Sequence, residues 1–354
     1  MRSTSLVDPR AGNIMIQANW LEFCRVFDKS KSFVLATIVD TKGSTYQKTG
    51  AMMLVDKEGT CFGLLSGGCL EADISLHAKT VLDNNENKLL TYDLKADADL
   101  LWGLGLGCEG ALDILLTPLT PENNHQDFGE LLNSVGLHNS GIYYLPRTVS
   151  ETKKSPTAHF SQAQFESLSG LKQCLTESFI SEEDAFVAIP VLPPLSILIC
   201  GAGPDAEPLV KMCVQQGWKV VLWDHRKGYL QQSGFESAHE KRKIRAEKVT
   251  SDDYSNIDAT VIMTHNLESD EQYLQASIAA NVNYIGLLGP IARRKKLLEN
   301  LNVDENEIAG QVYGPVGLDL GGRGPAAIAL SIAAEIQQHF SDKFKLNEIK
   351  PIKL

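Results

Sequence analysis

The amino-acid sequence predicts an α/β protein: a mixed α+β domain followed by a doubly wound domain built on a parallel sheet. After residue 195, short apolar runs alternate with helical segments, which is typical of parallel strands covered by helices on both faces. The runs are Ser196–Cys200, Lys219–Trp223, Ala259–Thr264 and Asn283–Leu288, and helices are predicted over Ala206–Gln216, Ser269–Ala280 and Ala326–Phe340. A glycine-rich turn directly after the first run indicates that this domain is Rossmann-like.

The first half of the 354-residue chain has predicted strands that are separated by turn-forming glycines. The predicted strands are Phe33–Asp40, Ala51–Asp56, Thr60–Leu65, Ala111–Leu116, Gly141–Leu145 and Ala185–Pro190, and apolar spacing predicts a helix over Glu71–Leu82. A polar stretch over about 121–170 is expected to be rich in loops. Because three prolines between residues 190 and 194 cannot continue a helix or a central strand, we expect two domains, over 1–190 and 196–345.

Composition and charge argue against several classes of protein. The chain has 33 basic and 44 acidic residues and a net charge of −11, so neither nucleic acid nor an anionic membrane is expected as a partner. Its seven cysteines include no C-x-x-C pair, so a disulfide framework and a zinc ribbon are not expected. No apolar stretch approaches the roughly 18–20 residues of a membrane span, and no signal peptide is recognisable, so we expect a cytoplasmic protein.

The turn Gly201–Ala206 fits the G-x-G-x-x-A pattern of dinucleotide-binding turns. In that pattern Gly201 permits the tight turn, Gly203 lets a phosphate approach the backbone, and Asp224 binds a ribose hydroxyl. Arg226 either pairs with Asp224 or favours a ribose 2′-phosphate. Two acidic side chains at the start of the following helix oppose a bound pyrophosphate, so the alternative is a turn with a structural role alone.

Three further loops are predicted to reach the same edge of the sheet, where open α/β sheets bind ligands. They carry His265 after the third strand of this domain, Gly289 after the fourth, and Asp319 within a glycine-rich segment over 314–325. Each of these residues is a candidate for cofactor binding. The simpler alternatives are a hydrogen-bonded histidine and two structural loops.

One loop of the first domain places a cysteine next to a predicted helix. Gly67 and Gly68 let the chain turn, so that Cys69 lies near the amino end of the helix over Glu71–Leu82. Unpaired amide groups and the helix dipole stabilise a thiolate at such a position. Glu71 either works against that effect or serves the thiol as proton acceptor or hydrogen-bond partner. The alternative is a buried cysteine that acts as a small apolar side chain.

Two more loops of the first domain are candidate ligand sites. In Gly103–Gly110 every second residue is glycine up to Gly107, and Cys108 follows, so a ligand or another backbone segment can approach closely. The loop over 42–50 offers hydroxyl groups, including that of Ser44, and two lysines to a polar ligand. Tight strand packing and a simple turn are the respective alternatives.

These motifs, taken in order, resemble one known family over nearly the whole chain. They are Gly43-Ser44, Gly50-Ala51, Ser66–Glu71, Gly107-Cys108, Gly201-Ala202-Gly203, Asp224-His225-Arg226, Thr264-His265, Tyr284–Gly289 and Pro315–Asp319. With them the chain resembles the XdhC/CoxI proteins, which are accessory factors for xanthine dehydrogenase and related molybdenum hydroxylases. It departs from the family pattern at Pro204, Glu109 and Ala326-Ala327, where a histidine, a glycine and two glutamates are usual.

The resemblance implies a protein that binds the molybdenum cofactor in its molybdopterin form. Such a factor protects the cofactor while a cysteine desulfurase installs the terminal sulfur, and delivers it to an apo molybdenum hydroxylase such as xanthine dehydrogenase. The resemblance also implies that Cys69 and Cys108 contact the molybdenum or its sulfur, and that the protein is a homodimer without turnover chemistry of its own. The second domain would hold a phosphate-bearing part of the cofactor, or NAD(P) or another nucleotide.

Two other functions stay open on the residues alone. An NAD(P)-dependent oxidoreductase would transfer a hydride beside the Gly201 turn, with His265 or Cys69 as the acid–base group. A sulfur carrier would hold a transient persulfide on Cys69.

Overall fold

A computed structural model of the chain describes residues 20–93, 110–146, 157–163 and 186–343. These residues form two compact units that divide between Pro193 and Pro194. The first unit mixes antiparallel sheets with helices, and the second is built on a parallel sheet. The predicted fold class is therefore confirmed.

The first unit contains a five-stranded antiparallel sheet with helices and a smaller sheet around it. Its strands are β1 (Phe33–Lys42), β2 (Met52–Asp56), β3 (Cys61–Phe62), β4 (Lys88–Asp93) and β5 (Ala111–Leu119), in the order β3-β2-β1-β5-β4. The other elements are α1 (Trp20–Val26), α2 (Glu71–Asn84), α3 (Phe128–Gly136), β6 (Gly141–Pro146), β7 (His159–Gln162) and β8 (Phe186–Val191), and the smaller sheet has the order β7-β6-β8. Alternate residues of β1 face α2 on one side, and α1, α3 and the smaller sheet on the other.

Two predictions for the first unit need correction. Residues 128–136, within the stretch predicted to be loops, form α3, because Phe128, Leu131 and Val135 share one face of a helix and are buried. The strand predicted over Thr60–Leu65 is only two residues long, since Gly63 takes a φ of +97° and the chain turns there.

The second unit contains a six-stranded sheet in which every neighbouring pair is parallel. Its strands are β9 (Ser196–Cys200), β10 (Lys219–Asp224), β11 (Glu240–Lys243), β12 (Ala259–Ile262), β13 (Tyr284–Leu287) and β14 (Val312–Tyr313). The helices are α4 (Ala206–Gln215), α5 (Lys227–Leu230), α6 (Leu267–Ala279), α7 (Ile291–Leu301) and α8 (Pro325–Lys343). None of the helices within the described ranges has the length and apolar content that a bilayer crossing requires.

The strand order identifies the switch point of the sheet in the second unit. The order is β11-β10-β9-β12-β13-β14, which corresponds to the 3-2-1-4-5-6 order of Rossmann folds. Strands β10 and β11 lie on one side of β9, and strands β12, β13 and β14 lie on its other side. The crevice at the carboxyl ends of β9 and β12 is therefore the switch point of the sheet, where such folds take up their ligands.

The cysteines in the described part of the chain are free and differ in exposure. Cys200 and Cys213 are buried in the second unit, Cys24 is exposed on α1, and Cys61 and Cys69 are half-buried. Burial raises the pKa of the Cys213 thiol to about 12, and burial together with the charge of Asp270 raises the pKa of Cys200. The two buried cysteines therefore act as small apolar side chains of the core.

Candidate functional site

The predicted ligand loops of the first unit leave the five-stranded sheet at one edge. Lys42, at the end of β1, lies opposite Ala111, the first residue of β5. Because β1 and β3 are both antiparallel to β2, β3 runs in the same direction as β1, and the loop after β3 leaves the sheet toward the loop after β1. The loop with Ser44 and the loop with Cys69 are therefore neighbours.

Close contacts join these loops to one another. A Cβ atom on Gly110 would lie 2.6 Å from the carbonyl oxygen of Lys42 and closer still to that of Ser44. A Cβ atom on Gly67 would lie 3.4 Å from the ring of Tyr46. The loop over 42–50 thus contacts both the residue before β5 and the cysteine loop.

The cysteine loop holds Cys69 on an open turn. Gly67 and Gly68 have φ values of +76° and +103°, which only glycine adopts without strain. Apart from Gly68 itself and its two neighbours in the chain, none of the described residues has a heavy atom within 4 Å of the position that a Cβ on Gly68 would take. Cys69 follows directly, half-buried, two residues before α2 begins at Glu71. Its side chain is therefore partly exposed and packs against the apolar core between the five-stranded sheet and α2.

Glu71 fixes the conformation of this loop. Its Oε1 accepts the N–H groups of Leu65 and Ser66 at 2.9 and 2.8 Å, and its Oε2 accepts the Ser66 hydroxyl at 2.6 Å and the Leu70 N–H at 3.2 Å. Burial alone would raise the pKa of the Glu71 carboxyl, but the hydrogen bonds from Ser66 and Leu65 outweigh it and hold the pKa below its usual range. The hydrogen bonds of Glu71 are thus made to the loop, whereas a bond to the thiol was one of the two roles expected from the sequence.

A second pair beside this site could not be foreseen from the sequence. The Tyr92 hydroxyl, at the end of β4, donates to Asp73 Oδ2 in the first turn of α2 at 2.7 Å. Burial raises the pKa of Tyr92, and the hydrogen bond to Asp73 raises it further. The pair ties β4 to the helix that begins after Cys69. The only feature of the sequence that pointed to this pair was an acidic residue in the first turn of the predicted helix.

Two predicted site residues, Gly107 and Cys108, lie outside the described residues. Their predicted contact with a bound cofactor therefore stays a prediction. The nearest described residue is Gly110, which packs against the loop that carries Ser44.

In the second unit, Gly201 packs against the end of the neighbouring strand. Its φ of +110° is a glycine conformation, and a Cβ atom would lie 2.7 Å from the Met263 carbonyl oxygen and 2.9 Å from the Thr264 Cα. Both contacts are to the backbone directly after β12. The turn between β9 and α4 is therefore as tight as the sequence predicts, and it packs against the backbone after β12 at the switch point of the sheet.

An acidic side chain occupies the space above Gly203. Asp205 Oδ1 would lie 2.7 Å from a Cβ atom on Gly203. The other oxygen, Oδ2, accepts a hydrogen bond of 2.7 Å from His265 Nε2. The sequence placed Asp205 near a bound phosphate but did not reveal that His265, from the loop after β12, is its partner.

Asp224 and Arg226 form an ion pair next to the same turn. The buried Asp224 carboxylate accepts the Ala202 N–H at 2.8 Å, the Arg226 N–H at 2.8 Å, and the Arg226 guanidinium at 2.9 and 2.7 Å. Burial would raise the pKa of Asp224, but the hydrogen bonds from Arg226 and Ala202 keep it below its usual range. The guanidinium also lies 3.7 Å from the centroid of the Tyr229 ring. Of the two predicted roles of Arg226, the structure contains the pairing with Asp224.

Gly289 and Asp319, the remaining predicted residues, lie in two different loops. Gly289 has a φ of +127° and faces the side chain of Arg293, which binds the buried Asp270 at 2.6 Å. Asp319 is exposed in the loop before α8. Cofactor binding by Gly201, Gly203, Asp224, Arg226, His265, Gly289 and Asp319 stays a prediction.

Comparison with known proteins identifies the family. The profile of the XdhC and CoxI family matches residues 27–93, which include the loops of Ser44 and Cys69, and that of the XdhC Rossmann domain matches residues 197–336. A Bacillus subtilis protein described as a probable xanthine dehydrogenase subunit is 30% identical over 323 residues, which cover 88% of this chain and 94% of that protein. The chain belongs to the XdhC and CoxI family. The resemblance noted in the sequence is thereby confirmed.

Two further relatives match over most of their length. A crystal structure described as a xanthine dehydrogenase from Bacillus halodurans has 29% sequence identity and a TM-score of 0.73, and the match covers 93% of this chain and 97% of that one. An Escherichia coli protein named molybdenum cofactor insertion chaperone PaoD is 22% identical over 310 residues, covering 86% of this chain and 83% of its own length. The fold of both units is thus shared with a solved structure along nearly the whole chain.

Proposed function

We propose that this chain is a maturation factor for a molybdenum hydroxylase. It binds the molybdenum cofactor as cargo, protects it while the terminal sulfur is installed, and delivers it to an apoenzyme such as xanthine dehydrogenase. The names of two relatives, a molybdenum cofactor insertion chaperone and a probable xanthine dehydrogenase subunit, support this role. The observation that carries it is Cys69 on an open glycine turn whose conformation Glu71 fixes.

The geometry around Cys69 suits the holding of a metal–pterin cargo. A thiolate is a soft ligand, suited to coordinating a metal that already carries sulfur ligands. The space above Gly68 is open, so the cargo can approach the backbone next to Cys69. Because four hydrogen bonds to Glu71 already order the loop, less conformational entropy is lost on binding than for a free loop.

The neighbouring loops complete the proposed cargo site. The loop over 42–50 contributes the Ser44 hydroxyl and the exposed Tyr46 ring, which packs on Gly67. Cys108 would add a second thiol from the segment that ends at Gly110. The molybdopterin form of the cargo, sulfur donation by a cysteine desulfurase and assembly as a homodimer are also parts of this proposal.

Cofactor retention tests the proposal. The full chain is mixed anaerobically with molybdenum cofactor and desalted, and the retained molybdenum and pterin are measured per chain. We expect the Kd for the molybdenum cofactor to rise at least about tenfold in Cys69→Ser. The exchange of sulfur for oxygen removes the soft ligand and hardly changes the shape of the side chain. A tenfold change in Kd corresponds to about 1.4 kcal/mol of binding free energy.

Cys24→Ser is the matched control, because Cys24 is a free, exposed cysteine on α1 of the same unit. We expect it to retain cofactor like the unmodified chain. Equal retention by Cys69→Ser and the unmodified chain would refute the proposed cargo site. A sulfur adduct that forms on Cys69 with a desulfurase, in a chain that retains no cofactor, would favour the sulfur-carrier function.

A further inference from the structure

The second unit has the strand order and the turn of a dinucleotide-binding fold, which implies NAD(P) or a related ligand at the switch point. In such folds the pyrophosphate lies over the second glycine of the turn, at the amino end of the following helix. The corresponding elements here are Gly203 and α4, which begins at Ala206. The side chains around them do not fit that ligand.

The carboxylate of Asp205 takes the place that a phosphate oxygen would occupy. Its Oδ1 lies where the missing side chain of Gly203 leaves space, 2.7 Å from the position of a Cβ atom. It is at the amino end of α4, where the helix dipole stabilises a negative charge. Asp205 thus fills the space and also supplies the charge that a bound pyrophosphate would bring.

His265 holds Asp205 in this position. The 2.7 Å bond from His265 Nε2 to Asp205 Oδ2 joins the loop after β9 to the loop after β12, across the crevice between these strands. The Asp205 side chain is 19% exposed, and within the described part of the chain its Oδ1 is buried without a hydrogen-bond partner. The favourable interactions of the carboxylate are the bond from His265, whose side chain is 63% exposed, and the amino end of α4.

The acid that would bind the ribose is also occupied. A carboxylate offers about four lone-pair sites. Those of Asp224 are used by the N–H groups of Ala202 and Arg226 and by two nitrogens of the Arg226 guanidinium. A ribose hydroxyl would have to displace one of these hydrogen bonds.

We infer that the Gly201–Ala206 turn of this chain is closed to NAD(P) and other pyrophosphate-bearing dinucleotides by the Asp205 carboxylate, which His265 holds over Gly203. This inference does not depend on the proposed cargo site in the first unit. Its failure would leave the retention experiment on Cys69 unaffected.

The test is a calorimetric titration of the full chain with NADH and with NADPH. We expect no saturation of the unmodified chain at millimolar ligand, and at least tenfold tighter binding by Asp205→Ala, which removes both the charge and the obstruction. Glu207→Ala is the matched control: it removes the same charge from the first turn of α4, but Glu207 pairs with Lys211 at 2.6 Å. We expect this variant to bind no better than the unmodified chain.

Three results would overturn the inference. They are micromolar binding by the unmodified chain, no gain in a folded Asp205→Ala variant, and an equal gain in Glu207→Ala. Thermal unfolding of each variant shows whether it is folded. If Asp205→Ala is not, Asp205→Ser takes its place, since it removes the charge, shortens the side chain and is a favourable residue at the N-cap of α4; a folded Asp205→Ser without tighter binding overturns the inference equally.

Discussion

Replacing Gly201 with alanine will destabilise the second unit by about 3–5 kcal/mol, the sum of backbone strain and overpacking. The residue has a φ of +110°, which an alanine adopts only with strain. The new Cβ would also lie 2.7 Å from the Met263 carbonyl oxygen and 2.9 Å from the Thr264 Cα. Since both neighbours are backbone atoms, neither can move without displacing the end of β12.

Hydrogen–deuterium exchange of peptides from β9, β10 and β12 measures this effect in the full chain, because protection there reports the free energy of opening. Gly228→Ala is the control, since none of the described residues has a heavy atom within 4 Å of its Cβ position. Because Gly228 lies in α5 and alanine is favoured over glycine in a helix, we expect its protection to be no lower than that of the unmodified chain. Unchanged protection in Gly201→Ala would contradict the prediction, because it would mean that the backbone after β12 can move at little cost in free energy.

Replacing Gly110 with alanine will loosen the loop over 42–50 and destabilise the first unit by about 1–3 kcal/mol. The Cβ would lie 2.6 Å from the Lys42 carbonyl oxygen, 2.7 Å from the Thr45 methyl group, and against the Ser44 carbonyl oxygen. The loop must therefore move away from the start of β5. Since the same loop packs on Gly67, we also expect weaker cofactor retention.

The matched control is Gly136→Ala at the end of α3, where none of the described residues comes within 4 Å of the Cβ position. An alanine in a helix is favoured over glycine by about 0.5–1 kcal/mol, so we expect no loss of stability. Urea unfolding measures the stability, and exchange of a peptide over 42–50 measures the loop. If that peptide exchanges equally in Gly110→Ala and Gly136→Ala, the packing of Gly110 does not order the loop.

The buried strands of the second unit could be predicted because their burial leaves a continuous apolar run. Ser196–Cys200 is identical in prediction and structure, and all five of its residues are buried. The strand Glu240–Lys243 was missed because it lies at the edge of the sheet and its four charged side chains are exposed. Val312–Tyr313 is too short to leave a pattern.

In the first unit, polar neighbours concealed an apolar pattern. Phe128, Leu131 and Val135 have helical spacing, but the asparagines and histidine before them made the whole stretch look like loops. The strand Lys88–Asp93 was missed because only Leu90 is buried, so its alternation is weak.

Of the candidate site, the turns could be predicted and the partners of the acids could not. Glycines with positive φ at 67, 68, 201 and 289 agree with the turns that the sequence predicts. Asp205 and His265 are 60 residues apart, and only the strand order brings them together. Glu71 lies close in sequence to its partners, yet an acid in a first helical turn is equally typical of a simple interaction with the helix dipole.

Alkylation of the cysteines of the full chain, with and without bound molybdenum cofactor and resolved by peptide mass spectrometry, tests most directly whether cargo is held at Cys69. We predict that bound cofactor slows the reaction of Cys69 with iodoacetamide at least tenfold and leaves that of the exposed Cys24 unchanged. A Cys69 that reacts at the same rate in the loaded and the empty chain would contradict the proposed site.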